Sequence, residues 1–224
     1  MMRVVVIGRS GQLAHALAEQ SGLHHAVQCV GRPQIDIAEG SSVDAMARLF
    51  DAYDVVVNAA AYTAVDKAES EPERAHLVNC VGARRVAKAA QAVRKPLIHI
   101  STDHVFSGAS ASPYSEDHPV DPIGVYGKTK LEGEYAVLSV HDAPVILRTA
   151  WVYSQFGSNF VKTMLRLGEL RDEVSVVDDR CGNPTSANDL AEAVVIVARR
   201  MLAGYRCPMP GVINCVGTGE ASWA

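Results

Sequence analysis

The chain has 224 residues, 48% of them hydrophobic and 21% charged, and its formal net charge is −4, which supports one substantial core with room for a small lobe. Because nucleic-acid-binding proteins usually carry a basic face, this slightly acidic balance argues against a nucleic-acid partner. No stretch approaches the roughly 20 apolar residues of a membrane span, and the N-terminal apolar run is too short for a signal peptide, so we expect a cytoplasmic protein with no membrane contact.

Four short apolar runs predict strands that are buried on both faces. They are rich in β-branched residues and cover residues 4–7, 55–57, 97–100 and 145–147. Helical patterns lie between and after them, including an apolar stripe in 43–50, an Ala-rich segment at 74–92 and a stripe in 190–201 that follows the capping residue Ser186. This alternation predicts right-handed βαβ units and an α/β fold with a doubly wound parallel sheet of the Rossmann type.

The first predicted strand runs directly into a glycine-rich turn, GRSGQLA, at residues 8–14. Gly8 permits the tight turn, Gly11 lets the backbone approach a pyrophosphate, and the small Ala14 lets helix and strand pack closely. The free amides of the helix N-terminus then face the phosphates. We predict a nicotinamide dinucleotide site at this turn, including Gly8, Ser10 and Gly11, with a glycine turn that binds no ligand as the alternative.

The end of the second predicted strand bears on the choice of cofactor. Arg32 stands near the position where an acidic residue would bind the ribose hydroxyls of NADH. An arginine there would contact a 2′-phosphate and favours NADPH, but a solvated arginine at a strand end fits the pattern equally well, so both cofactors stay open. Asp36 and Ile37 follow, and we expect them to meet the adenine.

Tyr126 and Lys130 form the most informative local pattern, because residues four apart on a helix share a face. A nearby cation favours the phenolate, so we expect Lys130 and an oxidised nicotinamide ring together to lower the pKa of Tyr126 from its usual value of about 10. Such a tyrosine can protonate a carbonyl oxygen as hydride reaches its carbon. Thr102 follows a predicted strand, where ligands of doubly wound sheets lie, and would donate a hydrogen bond to the same oxygen. A surface Tyr–Lys pair is the alternative.

The loop at 107–122 is rich in Ser, Pro and Asp and is long for a compact domain, so we expect it to border the active site, with a plain surface connection as the alternative.

The five cysteines show no paired short spacing and are interpreted as reduced and mostly structural; a disulfide framework or a zinc site fits them poorly. They are Cys29, Cys80, Cys181, Cys207 and Cys215.

These motifs resemble those of the extended short-chain dehydrogenases and, among them, the dTDP-4-dehydrorhamnose reductase family. The resemblance covers nearly the whole chain. Its specific stretches are GRSGQL (8–13), NAAAYTAVDKAESEPE (58–73), STDHVFSG (101–108), YGKTKLEGE (126–134), RTAWVY (148–153) and DDRCGNPT (178–185). It implies NADPH- or NADH-dependent reduction of the 4-keto group of dTDP-4-dehydro-L-rhamnose, a dTDP-linked 4-keto-6-deoxyhexose, in the synthesis of dTDP-rhamnose for surface polysaccharide.

By position, the resemblance implies catalytic roles for Thr102, Tyr126 and Lys130, the last two also touching the cofactor. It also implies Gly11, Gln12 and Leu13 at the pyrophosphate and Asp36 and Ile37 on the adenine side. Its remaining contacts are Ala61, Tyr62 and Thr63 at the nicotinamide ribose, and Thr102, Asp103 and Trp151 at the sugar nucleotide, with a plain core aromatic as the alternative for Trp151. It divides the chain into a dinucleotide-binding domain at 1–150, joined by 183–204, and a small substrate lobe at 151–182 and 205–224. That lobe is expected to be incomplete, because family members normally continue further.

Two further expectations come from the resemblance alone, namely a possible Mg²⁺ ion and a possible homodimer; the sequence shows no carboxylate cluster, so we predict no metal site. His104 stands where the family usually has tyrosine, and a core or strand-end histidine is the preferred interpretation. The alternatives in function are another nucleotide-sugar reductase or epimerase on the same scaffold, or a noncatalytic subunit like the regulatory subunit of methionine adenosyltransferase. The intact segment at 64–73 and the GQL turn argue against that subunit.

Overall fold

The computed structural model describes residues 1–205, 207 and 211–224. Its strands are β1 (Met2–Ile7), β2 (His25–Val30), β3 (Val55–Asn58), β4 (Leu97–Thr102), β5 (Val145–Thr149), β6 (Val152–Tyr153), β7 (Cys181–Gly182), β8 (Thr185–Ser186), β9 (Val212–Asn214) and β10 (Ala221–Ser222). Its α-helices are α1 (Gln12–Glu19), α2 (Val43–Asp51), α3 (Val65–Ser70), α4 (Pro72–His76), α5 (Ala83–Ala92), α6 (Val125–Leu138), α7 (Phe160–Leu170) and α8 (Ala187–Leu202). Within the described residues, none of these helices has the length and apolar character needed to traverse a bilayer.

Six parallel strands form the main sheet in the order β2-β1-β3-β4-β5-β9. The chain moves outward from β1 to β2 and then crosses to β3 on the other side of β1, which is the strand-order reversal of a doubly wound sheet. The prediction of a Rossmann-type α/β fold is confirmed. All four apolar runs lie in this sheet, because β-branched side chains pack well on both of its buried faces.

Helices cover both faces of the sheet. On one face α1 and α8 bury Leu17 and Val194 against it, and on the other α2 and α5 bury Phe50 and Val86. Fully burying a side chain of this size contributes about 1.5–3 kcal/mol. Ser186 accepts a hydrogen bond from the Asn188 amide (3.2 Å), so the predicted cap of α8 is confirmed.

The Ala-rich segment at 74–92 is helical as predicted, but its hydrogen bonding changes in the middle. A π-helical turn, Leu77–Gly82, joins α4 to α5. The widened turn contains the fully buried Asn79. A pattern read with a period of 3.6 residues cannot reveal one such turn, and π-helical turns often occur at functional sites.

Short elements form a smaller lobe beside the sheet. β6 pairs in parallel with β8, β7 pairs antiparallel with β10, and Phe160 at the start of α7 contacts Trp223, which follows β10. The structure departs from the predicted division in one respect, because β9 lies within 205–224 yet forms the edge strand of the main sheet. It pairs with residues 146–148 of β5, and the buried Val212 completes the sheet there.

Candidate active site at the carboxyl ends of the strands

A cleft of about 1480 Å³ opens where the parallel strands end. That volume exceeds the roughly 300–1,000 Å³ of a typical small-ligand pocket, so a dinucleotide and a second ligand can share it. The structure brings all the predicted site residues into its walls, because parallel strands end at one edge of a sheet. They are Gly8, Ser10, Gly11, Gln12, Leu13, Arg32, Asp36, Ile37, Ala61, Tyr62, Thr63, Thr102, Asp103, Tyr126, Lys130 and Trp151.

The glycine turn forms one end of this cleft. Gly8 has φ 131°, and a Cβ on it would lie 3.2 Å from the Ala59 carbonyl carbon, so both the backbone conformation and the close approach favour glycine. Gly11 is the N-cap of α1, no side chain caps the helix there, and a Cβ on Gly11 would meet no atom within 4 Å. The first amides of α1 are therefore free to bind an anion such as a pyrophosphate.

Gln12 uses its side chain to connect the glycine turn with the smaller lobe. Its amide nitrogen donates to the Val152 carbonyl (3.0 Å), and its amide oxygen accepts from Ser154 Oγ (2.9 Å) and Asn159 Nδ2 (2.9 Å). Asn159 in turn caps α7 by accepting from the Lys162 amide (3.0 Å). Because its side chain is engaged in this way, only the backbone of Gln12 is left for a bound phosphate.

Arg32 lies exposed at the end of the cleft next to β2 and makes no hydrogen bond or ion pair with the described residues. Asp36, by contrast, organises its own loop, because its carboxylate accepts from the Ala38 amide (2.9 Å). Arg85 donates to the Ile37 carbonyl (3.0 Å) and holds the loop from the side of α5. Arg32 is thus a cation available for a ligand, whereas Asp36 shapes the wall.

Asn79 supports the segment that follows β3, and the sequence analysis missed it. Its side-chain oxygen accepts from the Tyr62 amide (2.8 Å), and its nitrogen donates to the Tyr62 carbonyl (3.2 Å) and to Thr129 Oγ1 (3.1 Å). These bonds tie the backbone of residue 62 to α6. Asn79 stands alone among apolar neighbours in the segment LVNCVG at 77–82, and this is the one signal in the sequence that could have indicated it.

Tyr126 and Lys130 lie one turn apart on α6, as their spacing predicts, and both border the cleft. Lys130 is 2% exposed, and its Nζ donates to the Ile100 carbonyl (2.7 Å). Thr102 Oγ1 donates to Asp103 Oδ1 (3.0 Å) at the end of β4. A hydroxyl, a phenol and an ammonium therefore converge on one edge of the sheet.

The pKa values differ from the sequence-based expectation. Burial raises the pKa of Tyr126 to about 12; the carboxylate of Asp103 adds to this, and a hydrogen bond from Thr102 opposes it. Burial lowers the pKa of Lys130 to about 8, which Glu134 partly opposes. Without the nicotinamide ring, Lys130 does not produce the expected lowering of the Tyr126 pKa, because desolvation of the phenolate dominates. Tyr126 stays protonated at neutral pH, as a proton donor must.

His104 lies in a short 3₁₀ turn, Asp103–Val105, that follows β4, and not in the core. Its side chain is exposed in the wall of the cleft, and its ring meets that of Tyr126 edge to face with 5.3 Å between centroids. Of the two forms of the interpretation, a core histidine is wrong and a strand-end histidine is confirmed, because the chain turns out of β4 two residues before His104. At this position the protein presents an imidazole beside the phenol.

A buried ion pair lies behind α6, and it too was missed by the sequence analysis. Glu134 is 1% exposed, and its carboxylate accepts from Arg148 Nη2 (2.7 Å) and Nε (3.0 Å) as well as from Ser101 Oγ. The Arg148 guanidinium also lies over the Phe106 ring, 5.0 Å from its centroid. Glu134 is one turn beyond Lys130, so this network fixes the part of α6 that carries the lysine. Its signal was present in the motifs at 126–134 and 148–153.

The loop at 107–122 does not border the cleft. The Tyr114 ring stacks on Phe106 (4.5 Å between centroids), and the Tyr114 carbonyl accepts from Asn214 Nδ2 (2.8 Å). The Glu116 carbonyl accepts a long bond from Arg148 Nη1 (3.4 Å). The expectation that this loop borders the active site is wrong, because its apolar and carbonyl groups cover the Arg148 end of the ion pair.

Aromatic side chains form the wall on the side of the smaller lobe. Trp151 has φ 46°, is half-buried and meets Trp223 edge to face at 5.6 Å, and Trp223 lies 5.0 Å from the Phe160 ring. A Cβ on Gly182 would lie 2.7 Å from the Trp151 ring, so glycine makes room for the indole. Thr149 at the end of β5 also lines this wall, and its buried hydroxyl has no partner among the described residues.

Two glycines let α6 approach its neighbours. A Cβ on Gly127 would lie 2.2 Å from the His104 carbonyl oxygen, and one on Gly133 would lie 2.2 Å from the Asn79 carbonyl oxygen. Both distances are far below van der Waals contact. The helix can therefore hold Tyr126 against the end of β4 only if these positions have no side chain.

We expect Gly127→Ala to displace the first turn of α6, lowering turnover at least tenfold and destabilising the fold by about 1–3 kcal/mol, the usual cost of overpacking. Gly168→Ala is the matched control, since a Cβ there meets nothing within 4 Å in α7 and alanine is the better helix former. Urea unfolding and steady-state turnover of the two variants check this. Equal stability in both would contradict the close packing.

The comparisons with known proteins agree with this architecture. A family model described as "RmlD substrate binding domain" matches residues 2–224. The dTDP-4-dehydrorhamnose reductase of Sinorhizobium fredii is 49% identical over 223 residues, which are 100% of this chain and 75% of that protein.

Two solved structures are also similar. The crystal structure of a dTDP-4-dehydrorhamnose reductase from Clostridium acetobutylicum is 39% identical with a TM-score of 0.89, covering 99% of this chain and 76% of that one. That of the Bacillus anthracis dTDP-4-dehydrorhamnose reductase, in complex with NADP, is 36% identical with a TM-score of 0.90, covering 100% and 77%. On its fold, its cleft and this similarity, the chain belongs to the dTDP-4-dehydrorhamnose reductase family.

Proposed function

We propose that this chain reduces the 4-keto group of dTDP-4-dehydro-L-rhamnose to give dTDP-L-rhamnose, with NADPH as the reductant. The observation that carries the proposal is the convergence of Thr102, Tyr126 and Lys130 at the end of β4 in a cleft that starts from an uncapped helix N-terminus. The family relationship supports the choice of substrate.

The residues of the cleft fit a nicotinamide dinucleotide. When bound, this cofactor supplies a hydride to the substrate carbonyl carbon. The free amides at Gly11 and Gln12 would hold its pyrophosphate, and the backbone fixed by Asn79 would border its ribose. The unpartnered Arg32 and the lack of a carboxylate at 28–32 favour the 2′-phosphate of NADPH over NADH.

The proton that completes the reduction would come from Tyr126. A phenol with a pKa raised to about 12 is protonated at neutral pH and gives up its proton only as negative charge builds on the substrate oxygen. The Thr102 hydroxyl would turn its hydrogen from Asp103 to that oxygen, and Lys130 would hold positive charge beneath the cleft. Trp151 and Thr149 would contact the sugar nucleotide from the other wall.

We also propose the predicted division of the chain, with 1–150 and 183–204 holding the cofactor and with 151–182 and 205–224, apart from β9, contributing to the sugar side. Mg²⁺ does not fit, because it prefers several oxygen ligands. Among the described residues, the single cluster with metal-ligand geometry has one carboxylate only. The homodimer and the cytoplasmic location stay predictions.

The direct test is an assay of the purified chain with dTDP-4-dehydro-L-rhamnose, measuring loss of NADPH absorbance and identifying the product by NMR. We expect dTDP-L-rhamnose in equimolar yield with the NADPH consumed. UDP-linked 4-keto sugars serve as the comparison substrates. A higher kcat/KM with a UDP sugar would favour another nucleotide-sugar reductase, and NADPH binding without turnover of any keto sugar would contradict a reductase.

Arg32→Ala is expected to weaken NADPH binding about 10–100-fold, because a hydrogen bond to a charged group contributes about 1.5–3 kcal/mol. The Kd for NADH should change less than threefold, since NADH lacks the 2′-phosphate. Titration calorimetry with both cofactors measures the difference. Arg48→Ala, an exposed arginine of α2 outside the cleft, is the control, and equal losses for NADPH and NADH in Arg32→Ala would remove Arg32 from phosphate recognition.

A further inference from the structure

A second cluster of chemically active side chains lies away from the cleft. His76 ends α4, Cys80 lies in the π-helical turn, and Glu132 lies on the outer face of α6. One ligand atom from each residue lies within 4.8 Å of the other two, and His76 Nδ1 is 2.7 Å from Glu132 Oε2. The proposed function uses none of these residues.

The donor set suits one class of ion. Nitrogen, sulfur and carboxylate oxygen together are the ligands of zinc and similar divalent transition metals, whereas Mg²⁺ and Ca²⁺ prefer oxygen alone. A thiolate and a carboxylate would also neutralise the two positive charges of such an ion. We propose that His76, Cys80 and Glu132 bind a zinc ion, with the fourth position open to water.

The distances allow this coordination after small movements. Zinc bonds of roughly 2.0–2.3 Å place tetrahedral ligand atoms about 3.5 Å apart. The side chains of His76 and Glu132 are about half exposed, at 48% and 51%, so they can rotate to open their 2.7 Å contact and draw in the thiol. The His76 and Glu132 side chains already point toward the same place, so a bound ion would take the place of the direct contact between them.

Access to the thiol comes from a neighbouring groove of about 460 Å³, which is lined by Cys80, Val81 and Tyr135 among others. Cys80 is half-buried, and burial together with the Glu132 carboxylate raises the pKa of its thiol, while Arg84 opposes this. On binding, the S–H bond breaks, its proton passes to solvent, and the sulfur electron pair forms the bond to zinc without any redox change. Arg84 is exposed and makes no hydrogen bond with the described residues, so it can swing away from the ion.

Such an ion would join two segments that both support the cleft. The π-helical turn holds Asn79, and α6 carries Lys130 two residues before Glu132. An ion that binds the folded state and not the unfolded state raises the free energy of unfolding, by an amount that grows with the ratio of the free ion concentration to Kd. At a hundredfold excess over Kd, we expect Tm to rise by about 5–10 °C for a chain of this size.

The test uses chelator-stripped protein titrated with Zn²⁺ and, for its spectrum, with Co²⁺. We expect one ion per chain, the rise in Tm, and a thiolate-to-cobalt charge-transfer band in the near ultraviolet. Cys80→Ser should abolish the band and the rise in Tm, and His76→Ala or Glu132→Gln should raise the Kd at least tenfold. Cys181→Ser, which removes an exposed thiol in β7, is the matched control and should change neither.

A measurement on the unmodified chain guards against misfolded variants. Zinc should slow maleimide labelling of Cys80 and leave that of Cys181 unchanged, as read by peptide mass spectrometry. Three results would overturn the proposal: a cobalt spectrum without a thiolate band, equal losses in Cys80→Ser and Cys181→Ser, or unchanged labelling of Cys80 at saturating zinc. None of these measurements uses the sugar nucleotide or NADPH, so they stand apart from the test of the reductase.

Discussion

Tyr126→Phe is expected to lower kcat by about 10²–10⁴-fold, the range that follows the loss of a positioned general acid. The substitution removes one oxygen and keeps the aromatic ring that His104 meets edge to face. It therefore deletes the proposed proton donor without opening a cavity. The Kd for NADPH should stay within threefold, because the glycine turn and Arg32 are untouched. Stopped-flow turnover and cofactor titration together measure the two effects.

Tyr135→Phe is the control for this experiment, because it makes the same change on the same helix at an exposed position outside the cleft. It should turn over as the wild type does. If Tyr126→Phe kept more than a third of wild-type kcat, another group would have to supply the proton. His104, whose ring lies beside the phenol, would then be the first to examine.

Arg148→Met is expected to destabilise the fold by about 3–5 kcal/mol, because it leaves the Glu134 carboxylate buried without its partner. Glu134 is 1% exposed, so water cannot replace the lost guanidinium. For a chain of this length the loss corresponds to a fall in Tm of about 10 °C, measured by differential scanning calorimetry.

The double variant Glu134→Met with Arg148→Met separates the ion pair from the site it occupies. Replacing both charged partners with apolar side chains of similar size is often neutral for stability, so we expect the double variant to recover most of the lost Tm. It should still turn over poorly near neutral pH, because Glu134 raises the pKa of Lys130 and its removal leaves more of that lysine uncharged. Recovered Tm with a wild-type pH profile would mean that the pair has no effect on Lys130.

Much of the candidate site could be predicted from the sequence, because it depends on local residue patterns and on the topology of a parallel sheet. Runs of β-branched residues predict buried strands, and parallel strands must end at one edge, so Thr102 and the glycine turn had to share a cleft. The four-residue spacing of Tyr126 and Lys130 placed both on one face of a helix. These inferences need no knowledge of distant packing.

The rest depended on contacts that no local pattern reports. Whether a phenol gains or loses acidity depends on how far burial outweighs a neighbouring cation, and in this fold burial raises the pKa of Tyr126. The partners of Asn79 and Arg148 lie 50 and 14 residues away in the chain, at Thr129 and Glu134. The single π-helical turn and the use of β9 as a sheet edge likewise appear only when the elements pack together.

The hydrogen bonds of the Gln12 side chain with Val152, Ser154 and Asn159 are expected to affect the order in which ligands bind. Gln12 is the first residue of α1, where the pyrophosphate of a dinucleotide would bind. Its side-chain amide is hydrogen-bonded to β6 and to the loop that leads into α7. When a bound dinucleotide reduces the motion of α1, the motion of the wall formed by 152–163 should therefore fall as well. Slower amide hydrogen exchange across 152–163 on cofactor binding would be the measured sign of this coupling. This coupling favours ordered binding, in which the nucleotide reductant binds first and the sugar nucleotide then binds to a wall that is already ordered.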